Sequence, residues 1–278
     1  MEALQSALGI VALLGIAWAL SENRGAVSFR AALLGIGITF LLATLLLKVP
    51  PVRAVFASAN AVVDAIAAST RAGTTFVFGY LGGGPLPFDS KSPGGEFVLA
   101  FQALPIVLVM SVLTTLLYYW RVLPPIVRGF AWALERTLGV GGAVGLATAA
   151  NIFVGMVEAP LVIRPYLDRM SRSELFIVMT GGMAGIAGTV LVLYATILGP
   201  VIPGATGHFI IASVLGAPAA ILIAQIMVPE TPETQTRPVG GALDDPEPVA
   251  ASAMDAIVKG ANAGLALLLN IVAMLLVL

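Results

Sequence analysis

Between Asn151 and Pro160 the chain reads Asn-Ile-Phe-Val-Gly-Met-Val-Glu-Ala-Pro, which sets one carboxylate, Glu158, among apolar neighbours. A carboxylate at membrane depth is costly and usually faces a cavity or pathway, so its chemistry is recognition of a polar solute or passage of a cation or proton. Gly155 and Pro160 flank it. Irregular backbone of that kind is tolerated in a bilayer only where it lines such a cavity. A structural acid paired with Arg164 is the plainer alternative for Glu158, and a helix-end hydrogen bond is the plainer alternative for Asn151. Enzyme chemistry is poorly supplied: there is no Cys, His208 is the single histidine, and Glu158 has no nucleophile or second acid beside it in sequence.

The elements that must hold these groups are membrane helices. The chain has 278 residues, 59% hydrophobic and 10% charged, against roughly 25% charged in ordinary soluble domains. Apolar runs at 3–20, 31–47, 97–119, 174–198, 208–228 and 260–278 approach the ~20 residues that span a bilayer. The first lacks a positive n-region, so it reads as a retained helix rather than a cleaved signal. Residues 51–68, with Arg53, Asn60 and Asp64 among apolar neighbours, read as an interfacial amphipathic helix. Residues 231–259 form a polar linker whose acids Asp244, Asp245 and Glu247 are solvated. Net charge is −1 and no basic cluster invites nucleic acid.

The stretch 141–167 has two short limbs around the Asn151–Pro160 segment and predicts a re-entrant hairpin. The distribution of positive charge supports it. With the N-terminus periplasmic and the hairpin opening inward, all of the 14 Lys and Arg except Lys48, Arg53, Arg71 and Lys91 are cytoplasmic. A single spanning helix there inverts everything downstream and moves Arg164, Arg169, Arg172, Arg237 and Lys259 outside. The expectation is an all-α integral membrane protein of the bacterial inner membrane.

Asn151-Ile-Phe-Val-Gly followed by Glu158-Ala-Pro-Leu-Val-Ile-Arg-Pro-Tyr166 resembles the first hairpin of the concentrative nucleoside transporters. The resemblance continues through Ser173-Glu174-Leu-Phe, Gly181-Gly-Met-Ala-Gly-Ile-Ala-Gly188, Ala217-Pro218 and Met227-Val-Pro-Glu-Thr231. It also takes in Phe76-Val-Phe-Gly79 and Phe97 to Pro105, and so covers essentially the whole chain. It implies an inverted-repeat transporter fold, a homotrimer in the lipid bilayer, and cation-coupled nucleoside uptake with no organic cofactor. On that reading 1–119 supplies scaffold helices and the interfacial helix. Residues 120–230 form a transport-domain half with the hairpin, a broken helix at 174–198 and a helix at 208–228. After the cytoplasmic linker 231–259, residues 260–278 open a second repeat that is incomplete, so the chain is expected to be part of a longer transporter.

The resemblance also assigns residues. Glu158, Met156, Val157 and Val190 match the family's substrate contacts, and Asn151, Val154, Gly185 and Ile186 match its sodium cage. Met156 and Val157 stand where relatives commonly have Gln and Thr, which weakens nucleobase recognition by hydrogen bonds. Gly185 stands where sodium-coupled members commonly have a hydroxyl. Backbone carbonyls can still ligate sodium, while a buried Glu158 can carry a proton instead. Both ions stay open, with the glycine tilting the expectation towards the proton. The competing readings are a non-transporting structural or gating relative and an inactive fragment.

Overall fold

Backbone polar groups cannot be left open in lipid, so a chain this apolar satisfies them within helices. The computed structural model describes residues 2–89, 97–153, 163–199, 201–202, 204–230 and 250–278, and no strand occurs among them. The helices are α1 (Glu2–Ala19), α2 (Phe29–Lys48), α3 (Pro50–Phe78), α4 (Leu99–Gln102), α5 (Pro105–Tyr119) and α6 (Leu123–Leu138). They continue with α7 (Gly142–Phe153), α8 (Arg172–Ala184), α9 (Gly188–Leu198), α10 (Ala205–Met227) and α11 (Ala253–Val277). Leu99–Tyr119, Ala205–Met227 and Ala253–Val277 are long and apolar enough to cross a membrane. The helix expected over 51–68 is the first part of α3, which runs 29 residues to Phe78. It stops at Gly79, whose φ of 59° suits a residue without a Cβ.

Contacts divide the chain into two units. The first comprises Met1–Lys48, Ile126–Ile186 and Ala212–Asp245, and the second comprises Val49–Pro125, Ala187–Ile211 and Pro246–Leu278. Within the first unit α1 and α2 pack on the end of α10. Ala17, Leu222 and Ile226 form a buried cluster there, with Leu14, Val27, Ala32 and Ile36 against it. Gly35 lets α2 approach so closely that a Cβ at that position stands 3.0 Å from Leu222 Cδ1.

The helix α6, whose residues from Ile126 on belong to the same unit, is amphipathic. Leu123, Val127, Ala131 and Leu134 are buried, at the i, i+4, i+8, i+11 spacing of one helix face. Arg128, Trp132 and Arg136 are exposed. Gly145 of α7 rests on this helix, with its Cβ position 3.0 Å from the Ala131 carbonyl. Nearly all of α7 is buried, Gly142 to Ile152 without interruption.

In the second unit α11 lies against α5. Gly260 and Gly264, four residues apart, permit the contact: Cβ atoms there stand 2.7 Å from Val112 Cα and 2.8 Å from Leu108 Cα. Small residues at that spacing let membrane helices pack backbone to backbone. The other side of α11 carries Leu265 and Leu269 exposed, as a lipid-facing surface does.

Candidate functional site

The chain at 174–198 forms two helices. The first, α8, begins with a capping box in which the Ser171 side chain accepts from the Glu174 N–H and the Glu174 carboxylate accepts from the Ser171 N–H. It ends at Gly185, extended at φ −93° and ψ 156°, and α9 starts at Gly188. The last carbonyls of a helix lack intrahelical partners and carry partial negative charge. The break therefore presents oxygen acceptors at the end of α8.

Asn151, on the last turn of α7, faces this break. It is 4% exposed. Its Nδ2 donates to the Gly181 carbonyl at 2.9 Å, and its Oδ1 has no hydrogen-bond partner among the described residues. The Gly181 carbonyl fixes which way the amide points, since the flipped amide sets oxygen against oxygen. Gly185 leaves the room the amide occupies: a Cβ at 185 stands 2.6 Å from Asn151 Nδ2. Gly185 and Ile186 are both half-buried. An unpartnered buried carbonyl oxygen near a helix C-terminus is a ligand of the kind a hard cation such as sodium takes. Leaving such an atom unpaired otherwise costs about 1–3 kcal/mol.

Of the residues singled out in the sequence, the structure thus brings together Asn151, Gly181 and Gly185, with Ile186 next in the chain. Val190 is half-buried on α9, in the second unit. Val154, Met156, Val157 and Glu158 lie outside the described residues, as does most of the linker 231–259.

A second polar group ties the first unit together at the start of α8. Ser173 donates to the Val228 carbonyl at 2.6 Å, and Ser171 Oγ donates to Glu230 Oε1 at 3.5 Å. Arg172 pairs with Glu22 at 2.6 Å, whose own N–H donates to the Met227 carbonyl at 2.9 Å. Partial burial, and then the nearby Glu174 charge, push the Glu230 carboxyl above its ordinary range, against an opposing hydrogen bond from Ser171. Sequence reading missed this junction, although Ser171-Arg-Ser-Glu174 has the spacing of a capping box and signals a helix start.

Known proteins resemble the chain along its length. Residues 8–81 match the family described as Na+ dependent nucleoside transporter N-terminus, 100–201 match Nucleoside recognition, and 208–278 match Na+ dependent nucleoside transporter C-terminus. An uncharacterized transporter of Haemophilus influenzae is 38% identical over 99% of this chain and 62% of its own length. The nucleoside permease NupC of Helicobacter pylori is 36% identical over 99% of this chain and 63% of its own length. A structure of CNTnw in an inward-facing substrate-bound state, 35% identical, superposes over the whole chain and 63% of its own with a TM-score of 0.83.

The chain is a member of the concentrative nucleoside transporter family. It spans a little under two thirds of the length of the bacterial relatives described. Those relatives are transporters, not enzymes.

Proposed function

We propose that this protein takes up nucleosides across the bacterial inner membrane, driven by an inward sodium gradient. The observation that carries the reading is the buried Asn151 Oδ1, without a partner among the described residues, near the carbonyl end of α8. It supplies a ligand of the type sodium requires. The family descriptions name sodium as well, which outweighs the tilt towards a proton that Gly185 gives. Sodium is here a co-substrate held by Asn151 together with Val154, Gly185 and Ile186. Glu158 contacts the nucleobase, with Met156, Val157 and Val190 as apolar walls, so discrimination among bases is weaker than in a site with more hydrogen-bonding groups. The assembly is a homotrimer with the N-terminus periplasmic. Residues 1–119 and 260–278 serve the scaffold, 120–230 the transport half, and 231–259 a cytoplasmic connection.

The test is uptake of radiolabelled uridine and adenosine by the intact protein in proteoliposomes. A sodium gradient, a choline control and a pH gradient are compared. Uptake that follows sodium is expected, and Glu158→Gln should reduce it by about 10–100-fold, the scale of a lost charge-assisted hydrogen bond. Uptake that follows only the pH gradient replaces sodium by the proton. Absence of uptake by well-folded protein favours the non-transporting relative, and full activity of Glu158→Gln makes that carboxylate structural.

A further inference from the structure

A hydroxyl on a buried helix ordinarily donates to the carbonyl one turn back, which satisfies it without any other group. Thr39, Thr70, Thr115 and Thr196 do so at 2.8 or 2.9 Å. Thr148 does not. It lies on α7, 3% exposed, and its Oγ1 has no hydrogen-bond partner among the described residues. Buried polar atoms are rarely left so, and each exception asks for an unseen partner such as an ion or water.

The position of Thr148 points to which partner. Its Oγ1 lies 3.6 Å from where a Cβ on Gly181 would stand, and the Gly181 carbonyl is the acceptor for Asn151 Nδ2. Thr148 and Asn151 thus flank the same residue of α8. They are three apart on α7, a spacing that puts two side chains on one helix face with Cβ atoms about 5–6 Å apart. Oxygens that share a hard cation stand about 2.3–2.6 Å from it, and therefore up to about 5 Å from each other. Gly185, the residue that closes the break, has no side-chain oxygen to offer.

We infer that Thr148 Oγ1 is a further ligand of the coupling cation, supplying the hydroxyl oxygen that position 185 lacks. The inference rests on the reading of Asn151 as part of a sodium site. A hydroxyl has two lone pairs, so it accepts the ion with one and leaves its proton for a neighbouring acceptor or water.

Sodium binding to the purified intact protein tests this without relying on transport. The readout is the sodium concentration that gives half of the thermal stabilisation, with choline holding ionic strength constant. Thr148→Val keeps the shape and removes the oxygen, and should raise that concentration by about 10–100-fold, the usual penalty for losing a supporting metal contact. Thr148→Ser should return it towards wild type. Thr137→Val, whose hydroxyl is exposed and bonded to the Ala133 carbonyl, should leave it unchanged. If Thr148→Val does not fold, Thr148→Ala removes the same oxygen in a smaller side chain. Wild-type sodium affinity in Thr148→Val or Thr148→Ala overturns the inference, and the hydroxyl then holds at most a water. In that case loss of the sodium response in Asn151→Ala still upholds the Asn151 site. A wild-type protein that sodium does not stabilise overturns both.

Discussion

Asn151 and Gly185 constrain each other through a single gap. Gly185 has an extended conformation that any residue adopts, so a side chain there meets a limit of space rather than of backbone conformation. A serine at that position drives its Cβ to 2.6 Å from Asn151 Nδ2. The amide must then turn and give up its bond to Gly181. Overpacking of this kind costs about 1–3 kcal/mol. Gly185→Ser is therefore expected to lower the melting temperature and to weaken sodium-dependent stabilisation, even though it adds an oxygen. Thermal denaturation with and without sodium measures both effects. A variant as stable as wild type with tighter sodium binding would show that the amide and the glycine are independent.

At the scale of elements, the helix break and the close helix pair use the same device for opposite ends. Around Gly181 and Gly185 the missing side chains leave room for the Asn151 carboxamide and the Thr148 side chain. At Gly260 and Gly264 they bring α11 onto α5 with no space left. Gly264→Leu places a side chain where even a Cβ is 2.8 Å from Leu108 Cα and 3.0 Å from Ser111 Cβ. The backbones must part, with loss of packing along both helices. A fall in melting temperature is expected, matching about 1–3 kcal/mol or more. Leu269→Ala, on the exposed side of α11, should change it little. Equal melting temperatures for the two variants would refute the role of the glycine contact.

For the whole molecule, the junction of the α1–α2 turn, the start of α8 and the end of α10 gives stability a pH dependence. The Glu230 carboxyl is pushed above its ordinary 4.5. An acid with a raised folded pKa binds more protons folded than unfolded, so stability falls as pH rises through the interval above 4.5. The group remains partly in solvent, so the effect is small. Glu230→Gln removes it. The melting temperature of the variant relative to wild type should therefore increase from pH 4.5 upwards, and level off once the folded carboxyl is fully ionised. A difference constant with pH would mean that Glu230 titrates normally.

Much of this was legible in the sequence. Composition required membrane helices, because uncharged aliphatic runs of that length have no other stable environment. The order of motifs identified the family, and the glycine run 181–188 marked where a helix would break. The resemblance, rather than residue type, nominated Asn151 as a candidate ligand. Only the tertiary structure decided that its Nδ2 is committed to the Gly181 carbonyl while Oδ1 has no partner among the described residues, and that Thr148 forgoes its own helix. Neither fact has a local signal, since a hydroxyl or carboxamide satisfies itself or waits for a ligand according to what lies across from it. The same reason hid the grouping of α1 and α2 with the end of α10: an apolar face reads alike whether it meets lipid or a neighbouring helix, and only packing at Gly35 and Leu222 distinguishes them.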